Sequence, residues 1–175
     1  IYDNKQLKQL YLSENELISV NSKIGQLENL EVLNLSYNNL TELPSEMGNL
    51  SNLKSLNLTE NILEELPDSF KNLDQLEYLM LRGTNLTEIP EFVYQLKNLK
   101  MLDLMLTRIS TIDERILQTN LETIWITHQD VGGFNFDPKM IAQLKSLKSF
   151  KVSSLRVEKE VLKSKAKLKK LRPDL

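Results

Sequence analysis

Hydrophobic and polar residues follow two patterns that recur together along this chain. One stretch reads Leu-x-x-Leu-x-Leu, in which the final alternation of leucine and polar residue is what a short strand with one buried face requires. A later stretch carries two apolar residues three positions apart, as one buried face of a helical or 3-10 turn requires. These pairs are Ile24 and Leu27, Met47 and Leu50, Phe70 and Leu73, and Val93 and Leu96. The pattern predicts strands that alternate with short helical segments.

The combined pattern repeats with a period of 23 residues. The units start at Leu7, Leu30, Leu53, Leu76 and Leu99, and then at Leu121 and Leu147 after spacings of 22 and 26 residues. Counting positions within a unit as places, leucines recur at places 1, 4 and 6 and usually at place 11. One unit cannot bury both of its apolar faces, so the units must stack, and each enclosed leucine contributes about 1.5 to 3 kcal/mol relative to exposure.

Place 9 carries an asparagine in the first three units, namely Asn15, Asn38 and Asn61. We expect these amides to turn inward and to satisfy backbone groups where the strand ends. Later units have Thr84, Thr107 and Gln129 at this place. The replacement predicts looser turns toward the C-terminus.

The sixth unit departs most from the pattern. Its segment Gly132-Gly133-Phe134-Asn135-Phe136 predicts a longer connection that bends easily. Asp137 followed by Pro138 is typical of an N-cap and a first helical residue, so a helix is expected there with Met140, Ile141 and Leu144 facing inward.

The repeated motif, L-x-x-L-x-L-x-x-N-x-L-x-x-L-P with an apolar residue at place 18 and leucine at place 21, resembles the leucine-rich repeat. Units two and three carry it in full, as LEVLNLSYNNLTELPSEMGNLSN and LKSLNLTENILEELPDSFKNLDQ. The Leu-Pro pairs at places 14 and 15 make the chain similar to bacterial leucine-rich proteins, plant intracellular repeat proteins and animal Ras-pathway scaffolds.

The resemblance implies an α/β solenoid. Such a solenoid is a right-handed horseshoe with a parallel β-sheet on the concave side and short helical or 3-10 segments on the convex side. We assign residues 1–160, with about seven units, to this domain, and residues 161–175 to a basic C-terminal capping helix or tail. The family resemblance also implies a non-catalytic module that binds a protein or peptide on its concave face.

Candidate contact residues are those between the leucines on the strand face, at places 3, 5, 7 and 8. The first three units carry mostly small polar residues there, whereas units four to six carry aromatic and methionine side chains. We call this second set the concave patch. Its members are Tyr78, Met80, Met101, Met105, Leu106 and Trp125, and we expect Arg82, Asp103 and His128 to surround them. Such residue types dominate or adapt at protein interfaces, so we expect a protein or peptide partner with Trp125 as the anchor. A second copy of the chain, or a covering segment of the same chain, is the alternative.

The net charge of -2 conceals a strong asymmetry along the chain. Residues 1–144 carry 11 basic and 21 acidic side chains (net -10), and residues 145–175 carry 11 basic and 3 acidic ones (net +8). The basic end is interpreted as a capping helix that keeps the outer face of the last unit wet. Its alternative role is electrostatic attachment to an anionic membrane surface or nucleic acid, although the absence of interleaved aromatic residues argues against nucleic acid.

Candidate catalytic chemistry is sparse. With no cysteine and with His128 as the only histidine, the chain cannot form disulfides, thiolate zinc sites or multi-imidazole sites. No nucleophile is evident beside His128, so we interpret it as a residue at the rim of the binding surface, and we predict no enzyme activity, no cofactor and no metal. The lack of cysteine-rich caps favours a cytoplasmic location over an animal extracellular receptor, and a bacterial exported or cell-surface form is the alternative.

Overall fold

The computed structural model describes residues 1–128, 136–154 and 159–175. Seven strands form one parallel sheet in the order of the sequence, as the repeat predicts. The strands are β1 (Gln9–Tyr11), β2 (Val32–Asn34), β3 (Ser55–Asn57), β4 (Tyr78–Met80), β5 (Met101–Thr107), β6 (Thr123–His128) and β7 (Ser149–Ser154). Gln129 and the predicted connection through residues 132–135 lie outside the described part of the chain.

The strands align place by place, because nearly every unit has the same length. Place 4 forms one row across the sheet, with Leu10 beside Leu33, Leu33 beside Leu56 and so on to Phe150. From Leu33 to Ile124 this row is completely buried. The residues on the opposite face of each strand therefore also form straight rows, which place side chains of neighbouring units side by side.

Short 3-10 turns form the convex side in the first five units. They span Ser22–Gln26, Ser45–Asn49, Asp68–Asn72, Glu91–Gln95 and Glu114–Gln118. The predicted apolar pairs of these turns, such as Met47 and Leu50, point into the core, and the N–H of Leu50 closes its turn on the carbonyl of Met47 at 3.1 Å. Proline precedes three of the five turns, where its missing N–H costs no hydrogen bond.

The sixth unit contains the single helical turn α1 (Pro138–Ile141). The Asp137 side chain accepts the N–H of Lys139 at 2.9 Å, and Pro138 occupies the first turn, as the sequence predicts. Met140, Ile141 and Leu144 are buried. This turn therefore replaces the 3-10 turn of the preceding units.

The asparagines at place 9 link neighbouring units. The Nδ2 group of Asn61 donates to the carbonyl of Leu58 in its own unit and to that of Leu35 in the preceding unit, both at 3.0 Å. Its Oδ1 atom accepts the N–H of Leu40, also in the preceding unit, at 3.0 Å. Asn38 makes the equivalent bonds one unit earlier.

The threonines that follow at place 9 do not extend these links. Thr84 donates to the carbonyl of Leu81 at 2.7 Å, and Thr107 donates to that of Leu104 at 2.9 Å, each within its own unit. The pairing of β5 with β6 also shifts register between Met105 and Thr107. Cross-unit side-chain bonding at place 9 is thus confined, among the described residues, to the first three units.

Helix α2 (Lys159–Leu171) packs on the last unit. Leu168 is buried, and the ammonium of Lys165 donates to the carbonyl of Val152 in β7 at 2.8 Å. The guanidinium of Arg172 donates to the carbonyls of Leu144 and Leu147 at 3.0 and 2.8 Å. None of the helices in the described ranges is long and apolar enough to cross a membrane.

Candidate recognition surface

The concave patch is assembled by strand register. At place 5, Met80 of β4 lies beside Asp103 of β5, which lies beside Trp125 of β6. At place 3, Tyr78 lies beside Met101. Residues that are 22 or 23 positions apart in sequence therefore form one continuous surface.

The apolar members of the concave patch reach solvent. Tyr78 is 42% exposed, and the other members are half-buried, namely Met80, Met101, Met105, Leu106 and Trp125. Arg82 is exposed. The backbone of His128 pairs with Thr107 and Ser154, but its side chain lies outside the described part of the structure.

Trp125 is held from the side of β7. Its Nε1–H donates to the hydroxyl of Ser149 at 3.4 Å, which is a long hydrogen bond. The ammonium of Lys151, its register partner at place 5, lies 5.8 Å from the centre of the indole ring. That distance is at the outer limit of a cation–π contact, so the ring face is only weakly occupied.

Asp103 lies in the middle of the concave patch and not at its rim, where the sequence analysis placed it. Only 7% of this residue is exposed, and its Oδ1 atom accepts the N–H of Met105 at 2.9 Å. Burial raises the pKa of the Asp103 carboxyl above its ordinary value, and the hydrogen bond from Met105 and the charges of Arg82 and Lys151 offset this only in part.

The sequence did contain a signal for this position. Place 5 is asparagine in units two and three, and the side chains of Asn34 and Asn57 accept the backbone N–H two residues ahead, both at 3.0 Å. Asp103 makes the same local bond. Asn34 and Asn57 are only partly buried, so the deeper burial of Asp103 follows from its larger row neighbours, Met80 and Trp125.

A row of alternating charges, the charge ladder, crosses the sheet immediately before the strands begin, and the repeat motif did not predict it. Place 2 alternates strictly between lysine and glutamate in all seven units, as Lys8, Glu31, Lys54, Glu77, Lys100, Glu122 and Lys148. Glu31 pairs with Lys8 at 3.1 Å and with Lys54 at 2.8 Å, and hydrogen bonds from these two lysines lower its pKa. Further pairs join Lys100 to Glu77 and Lys148 to Glu122. Reading the sequence place by place would have revealed this alternation.

A shallow depression of about 730 Å³ lies away from the concave patch. It is lined by Thr41, Glu42, Ile62, Glu64, Glu65, Asn85, Thr87 and Arg108. Its walls are mainly polar and acidic, which is typical of a solvated flank, whereas protein recognition depends on aromatic and apolar anchors. No group of three or more histidine, aspartate or glutamate side chains in the described ranges is arranged to hold a metal ion.

Comparison with known proteins identifies the repeat. The leucine rich repeat family model matches twice, over residues 5–63 and 28–86. A leucine-rich repeat protein of Leptospira interrogans superimposes on 99% of the chain with 33% identity and a TM-score of 0.80. The chain belongs to the leucine-rich repeat family. This leucine-rich repeat chain spans 49% of the length of the Leptospira protein.

Two further leucine-rich repeat structures resemble the chain. The ectodomain of the plant membrane receptor kinase GASSHO1/SCHENGEN3 from Arabidopsis thaliana, solved in complex with CASPARIAN STRIP INTEGRITY FACTOR 2, is 30% identical over 86% of this chain and 19% of its own, with a TM-score of 0.72. An internalin, InlF, of Listeria monocytogenes shares the fold at 22% identity over 97% of this chain and 47% of its own, with a TM-score of 0.73. No curated protein sequence matches the chain. Leucine-rich repeat domains are typically non-catalytic modules for protein interaction.

Proposed function

We propose that this leucine-rich repeat chain binds a peptide or a segment of another protein on its concave face, at the concave patch of units four to six. The observation that carries the proposal is the contrast along the sheet. Half-exposed methionine and aromatic side chains occupy neighbouring rows of β4 to β6, whereas the same rows of β2 and β3 hold asparagine, serine and threonine, apart from Val32. Contiguous exposed apolar surface of this kind marks interaction sites.

The ectodomain of the receptor GASSHO1/SCHENGEN3, solved in complex with CASPARIAN STRIP INTEGRITY FACTOR 2, supports recognition of a partner by this type of domain. Trp125 is the proposed anchor because tryptophan has a large rigid surface and because Trp125 lies beside Asp103 in the row of place 5. Parallel strands with half-exposed thioethers on either side can adapt to side chains of different shape.

The test is selection of displayed random peptides on the immobilised chain, followed by measurement of Kd for the selected peptides. We expect Trp125→Ala to weaken binding at least about thirtyfold, equivalent to about 2 kcal/mol, with a nearly unchanged melting temperature. Tyr11→Ala is the matched control, because Tyr11 is an exposed aromatic residue at the same place of unit one. It should leave Kd unchanged.

Three results would contradict the proposal. Selected peptides that bind the Trp125 variant as well as the wild type would place recognition elsewhere. A stable dimer that the variant abolishes would make the patch a contact between two copies. Binding that disappears between low and moderate salt, with no effect of Trp125, would favour the electrostatic alternative, in which exposed lysines of α2 such as Lys167, Lys169 and Lys170 hold an anionic surface.

A further inference from the structure

The charge of Asp103 is unusual because the surrounding surface is apolar. Its row neighbours are Met80 and Trp125, and Met101 and Met105 flank it on its own strand. No described basic group lies within ion-pairing distance of its carboxylate, and burial raises its pKa. A carboxylate in such a position lowers the stability of the folded chain unless another group compensates it.

The local fold does not require that charge. Asn34 and Asn57 occupy the same place in units two and three, and their Oδ1 atoms accept the equivalent backbone N–H at 3.0 Å, compared with 2.9 Å for Asp103. An asparagine at position 103 could therefore make the same turn without burying an ionisable group. Aspartate and asparagine differ only in the second terminal atom of the side chain, which is the oxygen Oδ2 in aspartate and an amide nitrogen in asparagine.

That second atom of Asp103 is an acceptor that reaches solvent. Oδ2 accepts no hydrogen bond from a described residue, and no buried polar side-chain atom in the described ranges lacks a partner. Oδ2 must therefore be accessible. In Asn34 and Asn57 the corresponding atom is an amide nitrogen, which can only donate.

The neighbours of Oδ2 suit a flat or flexible cation. An indole face attracts a guanidinium or an ammonium, and methionine thioethers adapt to the alkyl stem of a basic side chain. The chain already contains a stand-in for such a ligand, since the Lys151 ammonium lies 5.8 Å from the centre of the Trp125 ring. Both Lys151 and Arg82 are exposed, so both can move into solvent when another cation arrives.

We infer that the concave patch recognises a basic side chain, an arginine or lysine of the bound segment, which donates to Asp103 Oδ2 and lies on the face of Trp125. This inference rests on the proposed function and adds the chemistry of the partner. Asp103 and Trp125 act as a pair, in which the carboxylate selects charge and the indole selects a group that can lie flat.

The test uses N-acetyl-arginine amide as the probe and N-acetyl-citrulline amide as its uncharged analogue. Trp125 is the only tryptophan, so its indole N–H gives one unambiguous NMR signal. We expect the arginine probe to shift this signal to saturation and the citrulline probe to leave it in place. Asp103→Asn should weaken arginine binding at least tenfold while the protein stays folded, because asparagine retains the turn.

Two further variants sharpen the test. Lys151→Ala removes the resident cation and should tighten arginine binding severalfold. Asn57→Asp introduces the same carboxylate at the same place of unit three, where Met80 is its only row neighbour from the concave patch, and should leave the Trp125 signal and its response unchanged.

Equal responses to arginine and citrulline, or equal affinity of the wild type and Asp103→Asn, would overturn the inference. Its failure can be distinguished from failure of the proposed function. Selected peptides without a basic residue that bind wild type and Asp103→Asn equally but lose affinity for Trp125→Ala would overturn the inference alone. Peptides that ignore Trp125→Ala as well would overturn both.

Discussion

Units one to three and units four to six share one sheet and one core but differ on the concave face and where the strands end. In the first group, Asn38 and Asn61 at place 9 join units two and three to the preceding unit, and the concave rows hold mostly small polar side chains. In the second group, threonines bond only within their own unit, and the concave rows hold aromatic and methionine side chains. The comparison teaches that a repeat needs few of its places for the fold, so the remaining places can serve cohesion in one region and recognition in another.

The convex turns of the two regions also differ in how neighbouring units make contact. Gly25 and Gly48 allow close approach of neighbouring turns, because a Cβ atom added to them would lie 2.3 Å from the carbonyl oxygen of Glu46 and 2.5 Å from that of Ser69. Later turns meet through rings instead, with Phe70 and Phe92 edge to face at 5.5 Å. On the convex side, backbone contact thus joins the turns of units one to three, and a contact between aromatic rings joins unit three to unit four.

The largest expected effect comes from breaking a cross-unit link. Asn61→Ala leaves the carbonyls of Leu35 and Leu58 and the N–H of Leu40 without their partner in a buried site. We expect the free energy of unfolding to fall by about 3 kcal/mol or more, since each unsatisfied buried group costs about 1 to 3 kcal/mol. Urea unfolding followed by circular dichroism measures this loss.

Thr84→Ala is the matched control for Asn61→Ala, because Thr84 occupies the same place in unit four. Its loss should be nearer 1 kcal/mol, since only one bond within the unit disappears. Equal losses in the two variants would show that the two regions are held together to the same degree.

A second test disturbs the convex side of the first region. Gly48→Ala forces the added Cβ atom against the backbone of Ser69, which must shift, so we expect a loss of about 2 kcal/mol in the free energy of unfolding. Lys71→Ala changes the exposed residue at the same place of unit three and should alter stability by less than about 0.5 kcal/mol. A neutral Gly48→Ala variant, measured by thermal unfolding, would refute the close-contact explanation.

The smallest expected effect concerns the charge of Asp103 on the concave side. The folded chain holds the Asp103 proton more tightly than the unfolded chain, because burial raises this pKa. Asp103 therefore contributes most to stability below the ordinary pKa of a carboxyl group, and this contribution is lost as pH rises through the raised value. Asp103→Asn should match the wild type in acid and exceed it at neutral pH, by less than about 1 kcal/mol, the scale of one hydrogen bond.

The measurement is the difference in free energy of unfolding between the two proteins as a function of pH. The other charged side chains that face the carboxylate, Arg82 and Lys151, are present in both proteins, as are the remaining acidic groups, whose contributions largely cancel. A variant that is less stable than the wild type at neutral pH would mean that the charge is compensated within the chain.

The sequence was sufficient to predict the fold because burial and period are visible in it. The spacing of the leucines gave the strands and their register, and the apolar pairs gave the convex turns, down to Asp137 and Pro138 at the start of α1. Backbone conformation at place 8 was not visible, since Glu14, Tyr37, Glu60 and Leu106 adopt positive φ there without glycine. That conformation follows from the chain on both sides of the residue and not from its own preference.

The residue types that share the concave surface could be predicted from the sequence, but the burial of Asp103 could not. The strand alternation placed Met80, Met101 and Trp125 on one surface, because side chains two residues apart share a face. The burial of Asp103 could not be inferred from alternation alone, because it depends on the bulk of its row neighbours Met80 and Trp125. Whether these residues contact a partner remains a prediction.

The alternating lysines and glutamates at place 2 have a consequence for how such an array can change in length. Removal of one unit, such as that of Lys54, would bring Glu31 beside Glu77, whereas removal of that unit with the next one would bring Glu31 beside Lys100. Like charges on adjacent strands repel, and opposite charges attract. The charge ladder therefore repeats every two units. An array descended from this one should gain and lose repeats in pairs, so that an odd number of repeats stays odd and an even number stays even.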